Sequence, residues 1–180
     1  MSIRFWYNRR MKIDLKVKNE KQMTTLGELI GKTLRGGEIL ALIGSLGAGK
    51  TTLTKAILSG AGVRQGFSPT FILMASHRPK RHQTLKYIHH LDLYRLNQAQ
   101  ELVTMGWYDI VGQPDQTVIV EWADRFPEAV QTLPKNEKMI IMIKKVLGNE
   151  RSLKIEALGK KHVKILDTLI DNFGKLKLRQ

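Results

Sequence analysis

Apolar residues along this chain fall mostly in short runs separated by glycine turns, with stretches of helical spacing between them. Glu38-Ile39-Leu40-Ala41-Leu42-Ile43 is the clearest run, and its unbroken apolar character predicts a strand buried on both faces. Further strands are predicted over Phe71 to His77, Leu85 to Leu91, Thr117 to Glu121, Met139 to Val146 and Ser152 to Ala157. Thr25-Leu26-Gly27-Glu28 has the capping-box pattern, in which a hydroxyl and a carboxylate satisfy free N–H groups, and predicts a helix from there to about Leu34. Gly36-Gly37 stops it. A second helix is predicted from Lys50 to about Ser59, ended by Gly60 and Gly62, and a third near Gln98 to Met105. From Val163 onward, Leu166, Leu169, Ile170, Phe173 and Leu176 continue a helical stripe. Docking on the domain's own core is the expectation for that helix, with partner binding as the alternative.

Strands interleaved with helices predict one layered α/β domain: a mixed sheet with a mostly parallel core, flanked by helices. Antiparallel pairing is expected at the late, directly connected strands. No internal repeat or low-complexity linker divides the chain, and 180 residues suit one domain. The expected parts are 1–22 as an N-terminal extension with a first strand, 23–158 as the main domain, and 159–180 as a basic amphipathic helix. Residues 1–10 read as a ragged leader, with Met11 as an equally good start.

Composition adds exclusions. No apolar run approaches the roughly 20 residues that cross a bilayer, and no signal-peptide core follows the basic N-terminus. Cysteine is absent, which removes disulfides and thiolate metal sites and fits a reducing cytoplasm. Thirty basic against 16 acidic residues leave a net charge of +14. A polyanion partner is one reading, but the excess is spread over both ends and the middle, as a solubility charge would be.

The candidate chemistry begins at Gly44-Ser45-Leu46-Gly47-Ala48-Gly49-Lys50-Thr51, a full G-x-x-x-x-G-K-T pattern between a predicted buried strand and a helix. Glycines there let successive N–H groups turn toward an anion, and the helix start adds its positive dipole end. Lys50 brings a charge for the β- and γ-phosphates, the Thr51 hydroxyl a ligand for Mg²⁺, and Thr52 a hydroxyl near the α-phosphate. A glycine turn that binds nothing is the plain alternative, yet it would not need a lysine where the helix dipole disfavours a cation. The fold expected is therefore that of the P-loop nucleoside triphosphatases, with ATP as the nucleotide. No Asn-Lys-x-Asp segment is present to read guanine.

Two acids end predicted strands. Asp92 follows Tyr87-Ile88-His89-His90-Leu91 and Glu121 follows Val118-Ile119-Val120. Carboxyl ends of parallel strands line the ligand crevice, so either acid can serve the metal or orient water, and spacing does not assign them. The plain alternatives are a helix cap for Asp92 and an ordinary strand-end carboxylate for Glu121. Ser68-Pro69-Thr70 precedes a strand and reads equally as a phosphate-sensing loop or a simple turn. His77, His82, His89 and His90 have no metal-pair spacing and read as polar strand or loop residues.

Taken in order, the phosphate loop, Ser68-Pro69-Thr70-Phe71, His90-Leu91-Asp92-Leu93-Tyr94-Arg95-Leu96, Glu101-Leu102 with Gly106, and Val120-Glu121-Trp122-Ala123-Asp124-Arg125 resemble the TsaE (formerly YjeE) family of bacterial ATPases. The resemblance covers about Met23 to Leu158. It implies a cytoplasmic, Mg²⁺-dependent ATPase that serves the threonylcarbamoyladenosine modification of tRNA. Such a protein works with a TsaD–TsaB pair, reaches tRNA through that complex, and does not transfer the group itself. By motif it implies that Gly47, Ala48, Gly49, Lys50, Thr51 and Thr52 hold the nucleotide and that Thr51 and Glu121 hold Mg²⁺. The resemblance further implies that Lys50, Asp92 and Glu121 carry the catalysis. Thr70, Trp122 and Arg151 complete the nucleotide contacts, and Glu20 approaches the base. Ser45 departs from the family's usual Asp, and Arg78-Pro79-Lys80-Arg81-His82 lies outside the shared pattern. A nucleotide-gated adaptor without catalysis, a basic RNA-binding module and a small-molecule kinase are the competing classes.

Overall fold

The computed structural model describes residues 10–64, 73–80, 83–126 and 137–177. In chain order the elements are β1 (Arg10–Val17), α1 (Glu20–Thr33), β2 (Ile39–Ile43), α2 (Lys50–Gly60), β3 (Met74–His77) and β4 (Tyr87–Asp92). A 3-10 turn (Leu93–Arg95), α3 (Gln100–Thr104), α4 (Trp107–Ile110), β5 (Gln116–Glu121), β6 (Lys138–Lys145), β7 (Arg151–Leu158) and α5 (Lys160–Lys177) follow. The seven strands form one sheet in the order β1-β7-β6-β2-β5-β4-β3. Its central strands β6, β2, β5 and β4 pair in parallel, while β1, β7 and β3 join antiparallel at the flanks. This is the predicted mixed sheet, with the late hairpin β6–β7 antiparallel as expected.

The alternation of side chains across a strand divides β2 between two cores. Leu40 and Leu42 pack into the cluster built with α1, α2 and α5, while Ile39 and Ala41 join Leu91, Val118, Val120 and Trp107 on the opposite face. Both faces exclude water, which is why Ile39–Ile43 carries no polar residue. The terminal helix docks on its own core through Ile165, Leu166 and Leu169. The side chains of Phe173 and Leu176 lie outside the described set.

The first helix starts earlier than its sequence pattern suggests. It begins at Glu20, capped by Asn19, whose side chain accepts from the Gln22 N–H at 3.0 Å. Gln22 in turn accepts from the Lys18 N–H at 2.9 Å. Thr25 is inside the helix and donates back to the Lys21 carbonyl, so the Thr25 box is not the start. The extra turn of α1 reaches the end of the sheet where the glycine turn between β2 and α2 lies.

Glycines set how close α1 comes to α2. A Cβ on Gly31 would stand 2.1 Å from the Ile57 carbonyl, and one on Gly60 would stand 2.3 Å from the Glu28 carbonyl. Only hydrogen fits at these positions, and the near contact of the two backbones fixes the wall of the site.

Candidate functional site

The loop between β2 and α2 leaves the carboxyl end of the central strand and turns straight into a helix start. Gly49 is the N-cap with φ 107°, and Gly47 has φ 69°, both in the left-handed region that favours glycine. The first turn of α2 carries no acid, and it places Lys50 where the helix dipole repels a cation. Lys50 is 4% exposed. Its Nζ donates to the Gly44 carbonyl at 2.7 Å and the Ser45 carbonyl at 3.1 Å, and lies 3.4 Å from the centroid of the Trp122 ring.

The two strand-end acids are direct register partners: Asp92 of β4 faces Glu121 of β5. Glu121 is gripped from both sides. The Thr51 hydroxyl donates to its Oε2 at 2.8 Å and the His90 Nε2 donates to its Oε1 at 2.8 Å. Asp92 has the capping role, since its Oδ1 accepts from the Tyr94 N–H at 3.0 Å, and it also lines the cleft. The cleft has a volume of about 470 Å³. Its floor is the loop from Leu46 to Thr52; Asn19, the cap of α1, forms one wall with Glu20 and Met23, and Tyr94, Arg95 and Trp122 line it from the strand ends. Asn149 and Arg151 close it from the β6–β7 hairpin. Arg151 clasps the loop from outside, with Nε on the Ala48 carbonyl at 3.0 Å and a terminal nitrogen on the Gly47 carbonyl at 3.3 Å.

Residues 17–153 match the family model described as "Threonylcarbamoyl adenosine biosynthesis protein TsaE". The chain belongs to the TsaE family. It is 39% identical over 109 residues to the tRNA threonylcarbamoyladenosine biosynthesis protein TsaE of Mycobacterium bovis, covering 58% of this chain and 64% of that protein. The chain therefore spans a little less than two thirds of these mycobacterial relatives. To the TsaE of Bacillus subtilis it is 30% identical over 152 residues, covering 84% of this chain and 89% of that one. The crystal structure of Bacillus subtilis YdiB superposes with a TM-score of 0.68 at 24% identity, covering 92% of this chain and 99% of that one, a likeness of fold.

Electrostatics at the end of this TsaE sheet follow from burial opposed by close partners. Burial works against the Glu121 carboxylate, but the His90 contact and the hydroxyls of Thr51 and Thr54 outweigh it and hold the carboxyl below its usual range. Burial pushes the Lys50 ammonium down, partly offset by Glu121, Asp124 and Asp92. Asp92 is raised by burial and by the Glu121 charge, against the Tyr94 N–H, His90 and Lys50. The set is thus a cation and a helix start facing two carboxylates and a hydroxyl, able to receive an anion on one side and a hard cation on the other.

Lys50, Thr51, Thr52, Asp92, Glu121, Trp122, Arg151, Glu20 and the loop residues Gly47, Ala48 and Gly49 all line one cleft. Thr70 lies outside the described residues. Sequence reasoning missed Asn19, Met23 and Asn149, and it read His90 as a polar strand residue. Asn19 followed three residues later by Gln22 was the available signal for the first two, since it marks the true helix start. No local signal marks the His90–Glu121 pair, which is made across adjacent strands. Among the described residues no helix is long and apolar enough to cross a membrane.

Proposed function

We propose that this TsaE-family protein binds MgATP over the Gly44–Thr51 loop and hydrolyses it, in the service of threonylcarbamoyladenosine formation on tRNA by a TsaD–TsaB pair. The observation that carries the reading is the 2.8 Å bond from the Thr51 hydroxyl to Glu121, beside a Lys50 ammonium buried at the same helix start. That bond commits the Thr51 proton to the carboxylate and leaves the hydroxyl lone pairs for a cation.

The donors fit Mg²⁺. Thr51, Glu121 and Asp92 offer hard oxygens, and among the described residues no group of three or more His, Cys, Asp or Glu is able to cage a metal alone. A cation that takes its remaining ligands from phosphates and water suits such a set. Held by Thr51 and Glu121, Mg²⁺ would supply positive charge to offset that of the phosphates.

The chain's own residues do the rest. Loop amides and the start of α2 bind the phosphates, and Lys50 leaves its carbonyl contacts for the γ-phosphate. Asp92 accepts a proton from the attacking water as its oxygen bonds to the γ-phosphorus; the bond from that phosphorus to the bridging oxygen breaks, ADP leaves with the electron pair, and Asp92 returns the proton to the released phosphate. Trp122 and Tyr94, whose ring centroids lie 4.8 Å apart at a tilt of 39°, cover the site from the strand ends.

The test is ATP turnover with Mg²⁺, for the protein alone and with a cognate TsaD–TsaB pair. Slow turnover that rises with the pair, and falls about 100-fold or more in Lys50→Ala and Glu121→Ala, is expected. Turnover unchanged in both variants would contradict the assignment. Partner stimulation that survives with a nonhydrolysable ATP analogue would point instead to a nucleotide-gated adaptor.

A further inference from the structure

His90 shares the Glu121 carboxylate with the hydroxyls of Thr51 and Thr54. It is 1% exposed and projects from β4 on the face that carries Ile88, within the apolar cluster shared with α1 and α2. Its Nε2 is committed to Glu121 Oε1 at 2.8 Å, and its Nδ1 has no hydrogen-bond partner among the described residues. An imidazole placed in an apolar core with one nitrogen unsatisfied lowers stability relative to an apolar side chain of similar size. Packing therefore does not account for it, and its one strong contact does.

That contact completes a chain across three elements. Thr51 at the start of α2 holds Oε2 of Glu121 at the end of β5, and His90 of β4 holds Oε1. With one oxygen tied on each side, the carboxylate has no freedom to rotate about its terminal bond. Without His90, Glu121 would keep only the hydroxyls of Thr51 and Thr54, and its Oε1 would lose the donor that sets the plane of the carboxylate.

We infer that His90 is a positioning residue: its Nε2–H locks the Glu121 carboxylate in the orientation that lets Thr51 and Glu121 hold a divalent cation beside bound nucleotide. The inference rests on the MgATP reading above. His90 itself touches neither nucleotide nor water in this role. Metal-free nucleotide binding therefore depends on the loop and Lys50 and is untouched by this residue.

Two substitutions separate the donor from the volume. His90→Leu fills the apolar surroundings without a donor; His90→Gln keeps an amide N–H close to the position of Nε2. The probes are Mn²⁺ in place of Mg²⁺, read by electron paramagnetic resonance with ADP present, and a fluorescent ADP analogue in excess chelator. Melting temperature is followed in parallel. His90→Leu is expected to weaken Mn²⁺ binding by ~10–100-fold, the range for partners that orient a metal ligand. Metal-free nucleotide affinity should stay within about 3-fold in both variants, and His90→Gln should recover most of the Mn²⁺ affinity. Mn²⁺ affinity unchanged in His90→Leu overturns the inference, and so does a His90→Gln protein as weak as His90→Leu. If the unaltered protein binds the ADP analogue in neither condition, the nucleotide reading itself has failed and this inference falls with it.

Discussion

The Lys50 ammonium stands 3.4 Å from the centroid of the Trp122 ring, and Trp122 is the one described non-glycine residue with a positive φ, 58°. The left-handed turn directly after Glu121 is what brings the indole over Lys50 at the start of α2. Backbone strain of about 1–3 kcal/mol is typical for such a residue and tends to be stored at functional sites.

The strain makes the usual ranking of small residues reverse at this position. Both Trp122→Ala and Trp122→Gly delete the ring, but only alanine keeps a Cβ in the left-handed conformation. The glycine variant is expected to be the more stable by about 1 kcal/mol in urea denaturation. Alanine proving the more stable would show that the conformation is relaxed in solution.

Asp92 holds a structural and a proposed chemical role in the same carboxylate, and two substitutions divide them. Asp92→Asn keeps an acceptor for the Tyr94 N–H and should melt with the unaltered protein, yet lose about 100-fold in turnover. Asp92→Ala should lose the same turnover and a further ~1 kcal/mol of stability with the cap. An Asp92→Asn enzyme of full activity would leave the residue as a cap only.

His162 ties α5 to the start of β2, accepting the Ile39 N–H at 3.0 Å from a fully buried position. Burial pushes its pKa below the ordinary value, with Lys161 in the same direction and Glu38 and Glu137 opposing. The unfolded chain takes up this proton first, so the folded state is at full stability above about pH 6.5 and loses it as pH falls. His89 shifts the same way through burial, so the unaltered protein carries both contributions. Replacing His162 by Asn should make stability fall less steeply between pH 7 and pH 5, by as much as about 1.4 kcal/mol per pH unit for one proton. Equal slopes in urea midpoints at the two pH values would exclude His162 as a source.

What was legible in the sequence is what local rules govern. The β2 run, the glycine turn and Lys50-Thr51 belong to one contiguous segment, so periodicity and turn chemistry described them without help from the rest of the fold. The acids at Asp92 and Glu121 were legible as strand ends, but their register pairing was not, because it depends on β4 and β5 being neighbours. The start of α1 was misread because Thr25-Glu28 satisfies the capping pattern, while the competing Asn19–Gln22 pair lies before a less apolar turn. Arg151 lies about a hundred positions from the glycine turn in sequence, and the antiparallel β6–β7 hairpin returns it to the Ala48 carbonyl. The short helix α4 opens on a left-handed Gly106 directly after α3, a break that apolar spacing does not reveal.

The most direct test of the account is a calorimetric titration of ATP, with Mg²⁺ present, into the unaltered protein and into Lys50→Ala. The account predicts saturable binding of one nucleotide per chain, weakened at least ~10-fold by the loss of a charge-assisted contact. No binding to the unaltered protein, or equal binding to both, would contradict it.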